Sequence, residues 1–473
     1  MTQNFDRTSR RHFLSRAASL GGLGIAAPWA ANLATLSDAM AQSSNDYRAV
    51  VCLYMHGGND HYNTVLPLDD ANWAEYKKLR NEIALDRQGR TQAGNSYNLQ
   101  DTRLFSDKPW AGGRQMALHP SMQSLMPLFN NGKLALAMNV GTLKQPTDRL
   151  MFKAGTQIPN KLFSHNDQTS TWQAGAAEGA RFGWAGRMGD WAMDKAMNGS
   201  QSQFTAISVN GNAVLMNGQA VRQYQLGVGG ATPIKARREL GSASAEQLMK
   251  SFLSRTDARH ELEAAYADVA KRSIDTEVSL NAALAKAQPM TTGFDMNNPL
   301  AAQLAMVARM IQARSTLGLK RQVFFVSMGG FDLHDNLLPQ HEVLLQRVAD
   351  AMRVFYDETV ALGVADKVTT FTASEFGRTL SSNGDGSDHG WGSYHFVMGG
   401  AVKGRTHVGE LPAYALDSGL SVGSGRLIPQ ISVQRYGAEM ARFMGITNDT
   451  ELGKVFSDFG AADRASLGLF HGL

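Results

Sequence analysis

Apolar residues in this chain collect in short continuous runs. Aliphatic and β-branched side chains fill 49–55, 134–140, 204–209, 322–328, 368–372 and 396–398, each bounded by turn residues. A strand with one wet face alternates, so a run that stays apolar predicts a strand covered on both faces, as in a parallel sheet. Between these runs the period becomes helical. Positions 121–130 follow His119-Pro120, 300–317 form a long apolar stretch, and in 337–362 Leu344, Leu345, Val348, Met352 and Phe355 keep helical spacing. Strand alternating with helix predicts an α/β fold, a mostly parallel sheet sandwiched by helices.

Two regions break that rhythm. Within about 210–300, a glycine-rich link at 227–232 leads into a polar, Ala/Glu/Lys-rich helical tract at 245–287 that holds no chemical cluster. It reads either as an inserted helical subdomain or lid, or as ordinary cover for the sheet. The first 41 residues read as a leader. Ser9-Arg10-Arg11-His12-Phe13-Leu14 is a twin-arginine box, a Gly/Ala-rich apolar stretch follows, and Ala39-Met40-Ala41 is a small-x-small cleavage site before Gln42. This predicts passage through the twin-arginine translocase and a mature chain that is periplasmic or secreted. That route resembles the one used by proteins folded before translocation, often with cofactor loaded, which fits a metalloprotein. Gly21, Gly22, Gly24 and Pro28 interrupt the leader's apolar run, and no comparable segment follows, so no stable membrane span is expected.

Charge and cysteine narrow the picture further. The formal net charge is +4, and Arg7, Arg10, Arg11 and Arg16 of the leader carry part of the excess, so the balance gives no argument for a nucleic-acid partner. Cys52, the only cysteine, lies in an apolar run, cannot form an internal disulfide, and reads as a small buried hydrophobe.

Polar clusters are predicted at the strand ends, where reactive groups of doubly wound sheets gather. They are His56 to Asn63, Gly329 to Asn336, Ser374 to Thr379, and Asp388-His389-Gly390-Trp391-Gly392. Parallel packing is expected to bring all four to one edge. Asp60, Asp332, His334, Glu375, Asp388 and His389 are the candidate metal ligands, with His165, His341 and His395 as additional candidates. Imidazole with carboxylate suits zinc, manganese or iron, and the interleaved glycines let backbone crowd an ion. Each cluster has a plainer reading: Asp60 in a turn, Asp332 capping the next helix, His341 and His395 as core histidines. Ser164, before His165 at a predicted helix start, is a candidate nucleophile where free amides favour phosphate or sulfate, or simply an N-cap.

The leader, the His56–Pro67 segment, Leu118-His119-Pro120, Ser164-His165, Gly330 to His334, Ser374 to Thr379 and Asp388-His389-Gly390 together resemble the exported bacterial family called domain of unknown function 1501. That family resembles a branch of the alkaline phosphatase and sulfatase superfamily. The resemblance implies an alkaline-phosphatase-like core in residues 42–473, with a divalent metal, zinc or manganese. It matches Asp60 to a metal ligand, Ser164 to the nucleophile, Asp332 with His334 or His341 to the ligands of one metal, and His389 to that metal's last histidine. Glu375-Phe376 stands where an Asp-His pair is usual, and phenylalanine cannot ligate. One site is then kept and a second weakened to Asp60 and Glu375, unless Asp388-His389 supplies that pair and His395 the last ligand. Ser164-His165-Asn166-Asp167 lacks the Pro-x-Arg needed for formylglycine chemistry. The expected function is metal-dependent hydrolysis of phosphate or sulfate esters of small molecules or polymers, with metal activating Ser164 or a water and Arg378 holding a nonbridging oxygen. The alternative is a non-catalytic binding or scaffold protein on a degenerate hydrolase fold, which Phe376 favours.

Overall fold

A computed structural model of the chain describes residues 46–231 and 260–472, with positions 244, 247, 248 and 251 between them. The twin-arginine box and the cleavage site lie outside the described residues, as does much of 232–259. Arg48–Leu473 forms one unit, and its centre is a nine-stranded sheet. The strands are β1 (Arg48–Met55), β2 (Leu134–Gly141), β3 (Ala206–Ser208), β4 (Tyr224–Gln225), β5 (Arg321–Met328), β6 (Val368–Ala373), β7 (Ser393–Gly399), β8 (Thr406–Val408) and β9 (Ile431–Ser432). They are arranged β8-β2-β7-β6-β1-β5-β3-β4, with β9 beside β2. Every residue of β2, β5, β6 and β7 is buried, which matches the unbroken apolar runs.

Helices cover the sheet on both sides. The longer ones are α1 (Asp70–Arg80), α2 (His165–Ala174), α3 (Trp184–Asp194), α4 (Glu261–Ala285), α5 (Pro299–Gln312), α6 (Leu337–Ala361) and α7 (Val433–Met444). Val50, Cys52 and Tyr54 of β1 point into a core with Trp172, Trp184, Val433, Tyr436 and Met440 of α2, α3 and α7. Their alternating neighbours face the other layer, where α5 packs on β5 and α6 packs on α5. Cys52 is buried and free, as its apolar setting predicted. Among the described residues no helix is long and apolar enough to cross a membrane.

Three departures have local causes. The stretch expected as one helix over 121–130 is a 3₁₀ segment (Pro120–Leu125) followed by Met126–Asn130. Pro127 lacks the N–H that an α-helix would give to Gln123, whose carbonyl instead accepts from the Met126 amide. Of the expected helical tract at 245–287, the structure describes α4, which buries Ile274, Leu280 and Leu284. The third departure positions the site. β7 runs antiparallel to both β6 and β2, whereas β1, β5 and β6 are mutually parallel. The start of β7 therefore shares an edge with the carboxyl ends of the other three. A parallel β7 would have carried Asp388-His389 to the opposite edge, so this reversal, and not parallel packing, assembles the four loops.

Candidate functional site

The loops after β1, β5 and β6 are laced together by backbone contact. Gly57 has φ +117°, and a Cβ there would stand 2.3 Å from the Asp332 nitrogen. Its amide donates to Glu375 Oε1 at 2.8 Å. The Ser374 hydroxyl donates to the Met55 carbonyl at 2.7 Å and accepts from the Asn59 amide at 3.1 Å. Arg378, fully buried, is the knot. Its Nε donates to the Gly58 carbonyl at 2.9 Å, its Nη1 to the Ser387 carbonyl at 2.9 Å, and its Nη2 faces the carbonyls of Gly57 and Phe331 and the Asp332 carboxylate.

Around Asp332 the groups that converge are acceptors. His389 Nδ1 lies 2.7 Å from the Phe163 carbonyl, which assigns the proton to that nitrogen and leaves Nε2 with its lone pair. That lone pair is 3.1 Å from Asp332 Oδ1 and 2.9 Å from His334 Nε2. His334 Nδ1 lies 3.4 Å from Asp388 Oδ1, and a proton donated there leaves its Nε2 an acceptor too. On the other side His165 Nδ1 meets Glu375 Oε1 at 2.9 Å, and Nε2 comes within 3.3 Å of Asp332 Oδ2. One ligand atom each from His165, Asp332 and His389 lie within 4.8 Å of one another. Imidazoles whose far nitrogens are held by a carboxylate or carbonyl, with near nitrogens bare around a carboxylate, form a donor set that fits a divalent cation.

The electrostatics agree for Asp332 and His389, whereas His165 is pulled toward its protonated form when no cation is present. Partial burial pushes the Asp332 carboxyl up, but hydrogen bonding and charge from Arg378, aided by His389 and His165, outweigh it and hold it at about 2. Desolvation, reinforced by Arg378's charge, lowers the His389 imidazole and keeps it neutral and able to ligate. The hydrogen bond to Glu375 raises His165 against its own desolvation.

The remaining candidates scatter. Asp388 stands behind His334 and accepts from Asn383 at 2.9 Å, so it orients that imidazole rather than joining the centre. Glu375 has the same place behind His165. Asp60 is buried against Arg80 and caps the short helix His61–Thr64, so it lies in a closed ion pair and not with the acceptors around Asp332. His341 is buried with Nε2 3.0 Å from Asn59 Oδ1, and His395 is buried inside β7 between Trp172 and Tyr436. Both match the core-histidine reading. The Ser164 hydroxyl donates to Asp167 Oδ2 at 2.8 Å and makes no side-chain cap. Its neighbours on either side, Phe163 and His165, both reach the centre. Arg378 is not placed to hold a substrate oxygen, because its N–H groups are taken by protein acceptors. Phe376 is a platform: its ring stacks on His389 at 4.6 Å and tilts against His165 at 4.9 Å between centroids.

Beside the centre opens a cleft of about 640 Å³, lined by His56, His165, Thr169, Ser170, Asp332 and Glu375 among others. Burial lowers the His56 imidazole, with Glu375 opposing and His165 assisting. Two participants had no sequence signal. Phe163 acts through its carbonyl, and it adopts φ +73°, uncommon for an aromatic residue. Arg426 donates from Nε to the His389 carbonyl at 2.7 Å and lies 5.3 Å over the Phe163 ring, pinning the two segments together.

The model of one family, described as "Protein of unknown function (DUF1501)", matches residues 47–428, a span that holds every residue of this centre. No curated protein matches the chain at a significant level.

Proposed function

The chain belongs to the DUF1501 family, and from that premise and the geometry above we propose that it is an exported, metal-dependent hydrolase of phosphate or sulfate esters. The observation that carries this reading is the convergence of His389 Nε2, His334 Nε2 and His165 Nε2 on the Asp332 carboxylate, where Arg378 is the one donor when the three rings are neutral. Lone pairs facing one another repel unless a cation or proton lies between them. Asp332 and His389, with His165 or His334, would hold zinc or manganese, and the metal when bound would supply Lewis acidity toward an ester oxygen. Glu375, Asp388 and the Phe163 carbonyl fix the imidazole tautomers. Arg378 keeps Asp332 ionised, Phe376 fixes the ring planes, and the Asp167 carboxylate accepts the Ser164 proton. Ser164 or a water is then the nucleophile, with the ester seated in the adjacent cleft. The alkaline-phosphatase-like ancestry, cleavage before Gln42 and a periplasmic or secreted location belong to the same proposal.

A second reading, a binding protein on a degenerate hydrolase core, draws on Phe376 and the closed Asp60–Arg80 pair, which occupy the place of a second metal in the resemblance. Elemental analysis of purified mature protein separates the hydrolase reading from a metal-free scaffold. Stoichiometric metal is expected, lost in His389→Ala and kept in His260→Ala. Absence of metal after reconstitution with zinc and manganese would overturn the proposal. Screening phosphate mono- and diesters and sulfate esters then separates catalyst from binder.

A further inference from the structure

Charge around the cleft restricts which esters it can take. Two guanidiniums, Arg378 and Arg426, stand at the centre and a third, Arg80, stands beside the loop after β6; each is engaged by the protein. Arg378 is buried on carbonyls and Asp332. Arg80 is buried on Asp60 and faces the carbonyls of Thr379 and Leu380 at 3.2 and 3.3 Å. Arg426 is held by the His389 carbonyl and the Phe163 ring, with Asp388 3.9 Å away. Among the described residues that line the cleft none is lysine or arginine, whereas Glu178, Asp332 and Glu375 are carboxylates. Even with a divalent metal on Asp332, a second negative charge on a substrate would face Glu178 and Glu375 with no lysine or arginine in the lining to neutralise it. A phosphate monoester carries that second charge above about pH 6, whereas a phosphodiester or sulfate monoester carries only one. Part of the lining is polar and uncharged: Asn166, Thr169, Ser170 and Gln173 recur along one face of α2. A cleft of about 640 Å³ has room for a drug-sized ligand, much more than a tetrahedral head.

We infer that the cleft takes monoanionic tetrahedral esters, with an uncharged alcohol portion lying along α2. This rests on the hydrolase reading and narrows it. In the net reaction, whether attack is direct or passes through Ser164, a water oxygen ends bonded to phosphorus or sulfur and the bond from that atom to the alcohol oxygen breaks. One water proton leaves on the alcohol, and the other stays on the new acidic hydroxyl until it ionises to solvent.

The test compares metal-loaded mature protein on bis(p-nitrophenyl) phosphate, p-nitrophenyl sulfate and p-nitrophenyl phosphate. At least one of the first two should exceed the third in kcat/KM by roughly tenfold at neutral pH, the scale of one screened unit charge. The monoester should gain relative to the diester as pH falls through about 6. Faster turnover of the diester identifies phosphorus as the reacting centre, and of the sulfate ester, sulfur. Calorimetry gives a readout independent of turnover: dimethyl phosphate should bind more tightly than methyl phosphate, and Glu178→Gln should narrow the gap with metal content unchanged. Tighter methyl phosphate together with fastest hydrolysis of p-nitrophenyl phosphate would overturn the inference. If no ester is hydrolysed while dimethyl phosphate still binds tighter, the charge selection stands and the hydrolase reading falls.

Discussion

Arg378→Gln should destabilise the protein severely even with no ligand present. The guanidinium is fully buried and ties the Gly57 and Gly58 carbonyls after β1, Phe331 and Asp332 after β5, and Ser387 before β7. A glutamine amide has two N–H groups and cannot span those partners, so several buried acceptors lose their donor. Each buried acceptor left without its donor typically costs about 1–3 kcal/mol, so losing several is expected to cost roughly 3–5 kcal/mol in all. The Asp332 share is smaller. Its carboxyl, held at about 2, contributes stability that is present above the ordinary carboxylate value and lost as pH falls through about 2. Half-exposed Asp332 is screened, so this amounts to under about 1 kcal/mol; the full loss should show at neutral pH, and most of it should persist in acid. Arg378→Lys keeps the charge but not the planar fork and should lose most of the same stability. Urea unfolding of metal-free mature protein, followed by tryptophan fluorescence, measures both. A variant within about 1 kcal/mol of wild type at neutral pH, with unchanged m, would mean that something other than Arg378 holds the loops.

Glu375→Gln removes the charge behind His165. The imidazole should titrate lower by NMR and metal affinity should fall by about tenfold or more; an unmoved His165 titration would refute the link. The raised His165 value also stabilises the metal-free fold below the ordinary imidazole pKa, a contribution lost as pH rises through the raised value and missing at every pH in the variant. Ser164→Ala should abolish turnover with metal content unchanged. Full activity on every ester that the wild type hydrolyses would pass the nucleophile's role to water. Replacing Arg10 and Arg11 by lysine should leave the full precursor in the cytoplasm, while periplasmic wild-type protein should begin at Gln42. An intact Met1 on periplasmic material would contradict that processing.

The strands were legible because burial on both faces leaves unbroken apolar runs, a signal that needs no knowledge of partners. Direction was not legible. The run Ser393–Gly399 reads the same either way along the sheet, yet its antiparallel course alone puts His389 beside Asp332. Asp332, His334 and His389 stood out through the density of imidazole and carboxylate among glycines. Asp60 stood out for the same reason, but its partner Arg80 ends α1, a helix with no clear apolar period, so the closed ion pair left no trace in the sequence pattern. Arg378 carried the opposite error. Backbone carbonyls have no sequence signature, so a buried clamp and an exposed anion-binding arginine look alike until the loops are folded. Local rules fail at the sheet edge, where three imidazoles crowd one carboxylate. A sequence under selection for stability alone would have dispersed those acceptors, whereas this one spends a buried guanidinium to keep Asp332 ionised among them, which is the arrangement expected of a site built to receive a cation.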